Sequence, residues 1–235
     1  MIVQLSKKLE MHAGRRYIRP MHAKLQRRQT LTDARRALVL DAARSVFSEA
    51  GIEGASIREI AKRAGYTPGA IYSYFDSKEA VYAALLDESL TRLQAAVAGA
   101  RVFKAKPDKT LLAKALAWFD FYAANPRDLD LGFYLVHGMR PRGLTSDLDH
   151  ELNDRLYDAL KPCEDALRAM GLDAKRALQE NTSLFAQGVG LLLMQHTGRI
   201  RMFRQSGELL FKTYMAQLVA RCVVAATQDP IGGTV

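Results

Sequence analysis

The sequence predicts an all-α protein of about nine helices, with a small N-terminal three-helix unit ahead of a larger helical domain. Three observations carry this. Nearly every segment places apolar residues at helical spacing, and none alternates as a half-buried strand would. Helix-stopping residues punctuate the chain at Gly51, Gly65, Lys106-Pro107-Asp108, Asn125-Pro126 and Gly171. Between Ser56 and Phe75, two capping residues and a turn glycine fall in the order that a pair of short helices requires.

The elements follow in order. From Thr32, residues Val39, Ala43, Val46, Phe47 and Ala50 share one helical face; Thr32 or Asp33 can cap the start and Gly51 can end it. A short helix follows Ser56, with Ile57, Ile60, Ala61 and Ala64 inward, and Gly65 stops it. A third helix runs from Thr67 to Tyr74. A fourth begins at Ser77 and extends to residue 100 with Val81, Leu85, Leu86, Leu90 and Leu93. Further helices are expected over 109–124, 127–138, 146–170, 173–197 and 206–227, with a turn at Arg140-Pro141-Arg142-Gly143. The last two are the most periodic. Their apolar faces are Leu178, Thr182, Phe185, Val189, Leu192, Leu193 and His196, then Phe211, Tyr214, Met215, Leu218, Cys222 and Ala226.

Composition narrows the class. With 235 residues, 49% of them hydrophobic and 25% charged, the chain reads as an ordinary globular protein. It has no stretch of eighteen apolar residues, so no membrane partner is expected, and no leader-like N-terminus. Cys163 and Cys222 are too few for a disulfide framework and lack metal spacing; reduced, buried thiols in a cytoplasm are the expectation. The net charge of +9 is uneven: residues 1–36 hold ten Lys/Arg against two acids, while residues 37–80 hold five against six. Residues 1–32 are therefore set apart as an unstructured basic arm. It either attracts phosphate backbone or is a solvated extension, with Met11 and Met21 as alternative starts.

The chemistry concentrates in residues 56–75. Ser56 can accept the orphan amide protons of the second helix, and Glu59 three residues on completes a capping box. Gly65 supplies the positive φ of the turn, Thr67 caps the third helix, and Pro68 takes its first position at no cost. Ile60, Ala61, Ile71 and Phe75 can then share a core. Gly69, Ala70, Ser73 and Tyr74 turn outward, where small residues let the backbone approach the floor of a major groove. Tyr72 and Tyr74 offer hydroxyls to phosphate or base edges, and Lys78 can hold a phosphate at the next helix start. A plain helical hairpin in a bundle would carry Glu and Lys on that outer face instead.

Together with Ala42-Ala43-Arg44-Ser45-Val46-Phe47-Ser48-Glu49-Ala50-Gly51 and Ser77-Lys78-Glu79, this segment resembles the DNA-binding domain of the TetR family of regulators over roughly residues 33–85. Ser56, where the family more often has Thr, and Tyr66, where it often has a small aliphatic, are mild departures. The resemblance implies a DNA-binding domain at residues 33–92 with its helix-turn-helix at 56–75. It implies an effector-binding and dimerisation domain at 93–235. Gly69, Ala70, Ser73 and Tyr74 would face bases; Arg58, Thr67, Tyr72 and Lys78 would mainly hold backbone, with Ser56 and Pro68 at the helix starts. The partners implied are operator DNA, a second copy joined through residues 173–197 and 206–227, and a small, mostly apolar effector. Its cavity would draw on Trp118, Phe121, Tyr122, Tyr134, His137 and Phe185, although core packing explains most of these residues as well. The implied activity is that of a cytoplasmic repressor released from a near-palindromic operator.

Other classes find little in the residues. No catalytic elbow, phosphate loop or metal cluster occurs, so no catalytic residue, cofactor or metal is expected. Gly188 and Gly190 are not a dinucleotide fingerprint, and His196 reads as a core histidine. An architectural DNA-binding protein with the arm as its main contact is the alternative; it predicts binding without sequence preference.

Overall fold

A computed structural model describes the backbone of residues 2–102, 106–133 and 146–228, and the side chains of residues 26–102, 106–133 and 146–224. Among the described residues there are nine α-helices and one short 3-10 turn, with no strand. They are α1 (Ile2–Gly54), α2 (Ile57–Ala64), α3 (Pro68–Tyr72), α4 (Lys78–Gly99), α5 (Pro107–Ala124), α6 (Pro126–Phe133), α7 (Ser146–Ala169), α8 (Ala174–His196) and α9 (Gly207–Gln228); the 3-10 turn is Arg199–Phe203. The predicted turn at 140–143 and the end of the helix predicted at 127–138 lie outside the described residues.

The first helix differs from its expectation. It does not begin at Thr32: the backbone of residues 2–32, set apart above as an unstructured arm, continues α1 helically. Residues 22–36 contain neither glycine nor proline and are rich in Ala, Leu, Lys, Arg and Gln, which favour helix. Thr32 is consequently an interior residue, and its hydroxyl donates to the Arg28 carbonyl at 3.0 Å rather than capping an end. Gly51 does interrupt the helix, at φ 65° and ψ 179°. That conformation suits glycine, and it turns the chain toward α2.

Helices α1, α2, α3 and the start of α4 share a core of Val39, Leu40, Ala43, Val46, Phe47, Ile60, Ala61, Ile71, Phe75 and Tyr82. The Phe47 and Tyr82 rings meet edge to face with centroids 5.3 Å apart, joining α1 to α4. Farther along, α4 engages the second half of the chain. Arg155 of α7 pairs with Asp87 and donates to the Thr91 hydroxyl, and Lys114 of α5 donates to the carbonyls of Val97 and Ala98 at 2.8 and 2.9 Å. Helix α4 therefore runs through both halves of the molecule. Helix α7 continues through Pro162, the lost backbone bond being offset by burial of Ala159, Leu160, Cys163 and Leu167.

A charged clasp joins the halves a second time. Asp128 of α6 is buried, and its Oδ1 accepts from Arg44 of α1 at 3.2 Å and from Arg92 of α4 at 2.7 Å. The Tyr82 hydroxyl donates to the Leu131 carbonyl beside it. A carboxylate this deeply buried is tolerated because two guanidinium groups satisfy it.

Candidate nucleic-acid interface

The α2–α3 segment is built from local signals. Ser56 is extended at φ −139°, and its Oγ accepts the Glu59 amide at 3.2 Å. The reciprocal half of the expected capping box is replaced: the Glu59 carboxylate faces Arg63 at 3.5 Å, and Arg63 also donates to Glu49 of α1 at 2.7 Å. That hydrogen bond holds the Glu49 carboxyl below its ordinary range and ties α2 to α1. Gly65 closes α2 in the left-handed region at φ 73°, ψ 28°. The Gly65 amide donates to the Lys62 carbonyl at 3.3 Å and the Tyr66 amide to the Ala61 carbonyl at 2.9 Å, which is a Schellman ending. Thr67 Oγ1 then accepts the Ala70 amide at 3.3 Å and Pro68 opens α3.

This leaves α3 as a short helix held from below and open above. Ile71 and Phe75 are buried, whereas Thr67, Pro68, Gly69, Tyr72 and Ser73 are exposed. A Cβ placed on Gly69 would meet no atom within 4 Å, so nothing in the fold requires or fills that space. Tyr72 is 54% exposed. The Ser73 hydroxyl donates to the Ala70 carbonyl at 2.7 Å, which leaves its oxygen free to accept. Ser56 and Arg58 are exposed on α2, and none of the described carboxylates pairs with Arg58.

Three residues differ in detail from their sequence reading. Ala70 is half-buried. Tyr74 is not a fully outward residue: it is half-buried and packs against the core. Lys78 already has protein partners, since its Nζ donates to the carbonyls of Glu53 and Ala55 at 3.2 and 3.3 Å and so pins the start of α4 to the end of α1. One ammonium proton remains for an outside acceptor. Sequence reasoning missed Arg36. Its guanidinium lies 5.1 Å above the Phe75 ring and 3.7 Å from Glu88, so α1 passes beside the end of the α3 segment.

In the second half, the structure brings Trp118, Tyr122 and Phe185 together. Trp118 and Tyr122 are fully buried, with centroids 5.6 Å apart; Phe185 lies 5.5 Å from Trp118 and Phe133 6.1 Å from Tyr122. Phe121 sits at the edge of this group, under the Arg92 guanidinium. Tyr134 and His137 lie outside the described residues. Burial, and secondarily Asp128, pushes the Tyr122 phenol well above its ordinary value, so it remains a neutral hydrogen-bonding group. The Trp118 indole N–H is buried and meets no acceptor among the described residues. His196 is half-buried, and its Nε2 donates to the Tyr122 carbonyl at 3.0 Å.

The face expected of α8 needs correcting at its start, whereas the face expected of α9 is buried. On α8 the buried residues are Ala177, Asn181, Leu184, Gly188, Leu191 and Leu192, so Leu178 and Thr182 of the predicted face point outward. On α9 the predicted residues Phe211, Met215, Leu218 and Cys222 are buried within the chain itself, and the side chain of Ala226 is not described. The outer surface of the pair instead carries exposed Leu178, Leu209, Val223 and Val224 with small residues at Gly190, Ala216 and Ala220.

Comparison with known proteins agrees with this geometry. A family model described as bacterial regulatory proteins, tetR family, matches residues 39–85, from within α1 into α4. The A-factor receptor protein of Streptomyces griseus is 46% identical over 56 residues, 24% of this chain and 20% of that protein. The transcriptional activator FasR of Mycolicibacterium smegmatis is 30% identical over 162 residues, 67% of this chain and 70% of that one. Several other curated relatives match over only 34% to 53% of their own length. The fold is also that of FadR from Bacillus subtilis, solved in complex with stearoyl-CoA, at a TM-score of 0.62 and 20% identity over 78% of this chain and 97% of that one.

Proposed function

The chain belongs to the TetR family of bacterial regulatory proteins, and on that premise we propose that it is a dimeric, sequence-specific DNA-binding regulator whose grip on an operator is released by a small, mostly apolar effector. The observation that carries this is the surface Thr67–Ser73: a helix capped and anchored from beneath, with open space above Gly69 and with exposed Tyr72 and Ser73. Gly69, Ala70, Ser73 and the hydroxyl of Tyr74 read base edges, while Ser56, Arg58, Thr67, Tyr72 and the remaining proton of Lys78 hold phosphates, and Pro68, which has no N–H to donate, meets the backbone by apolar contact alone. The regulator acts in the cytoplasm, where its DNA is.

Dimerisation uses the outer surface of α8 and α9, where exposed apolar residues sit among small ones that admit a close helix. A symmetric dimer sets two recognition helices roughly 34–36 Å apart and so reads a near-palindrome. The effector enters beside Trp118, Tyr122 and Phe185, where the unpartnered indole N–H asks for one acceptor on an otherwise apolar molecule. A chain such as that of the stearoyl-CoA held by the Bacillus FadR is one candidate. Release follows if the effector favours a position of α6 that alters the Asp128 clasp on α1 and α4; the same coupling then makes DNA weaken effector binding. Repression is the proposed mode, although relatives are named both as activators and as repressors.

Selection of bound fragments from a random DNA pool tests this reading, followed by release with candidate apolar acids and thioesters. A near-palindromic consensus is expected. Recovery of fragments without a shared sequence would overturn it.

A further inference from the structure

We propose that the basic stretch of α1 upstream of the three-helix unit is a second DNA-contact surface, which grips the phosphate backbone of the duplex flanking the site read by α3. The inference rests on the DNA-binding reading above but adds a surface that the reading does not need.

Charge is the first ground. Residues 1–36 hold ten Lys/Arg against two acids, which leaves the remaining 199 residues nearly neutral. The charge is also organised. At 3.6 residues per turn, positions 27, 28, 31, 35 and 38 fall within an arc of roughly 100°. They are Arg27, Arg28, Leu31, Arg35 and Leu38, while Asp33 and Asp41 fall outside the arc. Arg27, Arg28 and Arg35 are exposed, and none of the described carboxylates pairs with them. An ordinary solvated helix face intersperses both signs.

Position is the second ground. Arg36, one residue beyond the stripe's last arginine, lies 5.1 Å over the ring of Phe75, which ends the helix-turn-helix. The stripe therefore leaves the fold beside the recognition unit, carried on the same continuous helix that packs against α2. At about 1.5 Å per residue, the turns of α1 before residue 33 reach some 45 Å, longer than one turn of duplex. Duplex DNA offers a negative charge about every 1.7 Å along its axis, so a one-sided row of cations finds partners without reading sequence. Leu31 and Leu38, both exposed, would equally suit a second copy of the helix, and the test separates the two.

The full chain is compared with the variant R27Q/R28Q/R35Q by fluorescence anisotropy over a range of salt. Two fragments carry the selected site, one trimmed to its edges and one with about two duplex turns added on each side. On the long fragment, the slope of log K against log salt should flatten by about 0.9 for each phosphate no longer neutralised, or about 5 for three arginines on both arms of a dimer. On the trimmed fragment the two proteins should nearly coincide, and the preferred sequence should not change. Equal slopes on the long fragment overturn the proposal. So does a change in sedimentation-measured oligomeric state, which would assign the stripe to protein contacts. Failure of the regulator reading shows differently, as the absence of any selected sequence. The same slope comparison on unrelated duplex then still upholds or overturns the stripe.

Discussion

In a Gly69→Leu variant the new Cβ meets no protein atom within 4 Å, and Gly69 is not held at positive φ. The Cβ therefore adds no clash and the backbone no strain, and the exposed position lets the rest of the side chain extend into solvent. Leucine is a better helix former than glycine, so stability should be unchanged or should rise by up to about 0.8 kcal/mol. On DNA the outcome reverses, because the added side chain fills the space through which the α3 backbone approaches the groove floor. Removing one base-edge interaction worth about 2 kcal/mol in each half-site weakens a dimer by about 4 kcal/mol, close to three decades in affinity. Urea denaturation reads the first quantity, and a titration of the selected fragment reads the second. A variant that is as stable as the parent and binds with the parent's affinity would refute the assignment of Gly69 to the groove. A variant that unfolds would refute the claim that the space above it is empty.

Three further perturbations follow from the contacts described. Lys78→Ala removes the hydrogen bonds to the carbonyls of Glu53 and Ala55; it should cost about 1–2 kcal/mol in denaturant titrations and lower the salt slope of DNA binding by about one unit per half-site, and an unaltered slope would leave Lys78 a purely structural tether. Gly188→Ala would set a Cβ 2.3 Å from Trp118 Cζ3 inside a fully buried aromatic group, so the rings must shift. A loss of about 1–3 kcal/mol is expected, with a change in Trp118 fluorescence; parental stability and emission would contradict the packing. Asp128→Asn leaves Arg44 and Arg92 without their shared charge. Because Arg92 is about half exposed, the loss should be nearer 2 kcal/mol than the 3–5 typical of fully buried pairs, and an unshifted melting temperature would deny the clasp a structural role.

The helix-turn-helix was legible because its signals are local. Ser56, Gly65 and Thr67 each act on backbone groups within five residues, and those bonds form as the spacing predicts. Thr32 misled for a related reason: a threonine hydroxyl serves a cap or the carbonyl four residues back, and only the helicity of the preceding chain decides which. Lys78 could not be read, because its acceptors lie more than twenty residues upstream. The Asp128 clasp joins three helices that only the tertiary fold makes neighbours. The start of the α8 face is not legible because apolar periodicity weighs Leu178 above glycine, whereas Leu178 is exposed and Gly188 faces inward to make room for Trp118. Composition did single out Trp118, Tyr122 and Phe185, but which aromatic residues meet is decided by how α5 and α8 cross.

Hydroxyl-radical footprinting of the full chain on a selected fragment tests the groove assignment most directly. Two protected patches on each strand are expected, related by a dyad and centred roughly one duplex turn, 34–36 Å, apart, with protection lost in Gly69→Leu. Diffuse protection along the fragment, or protection that Gly69→Leu leaves intact, would contradict the entry of α3 into the major groove.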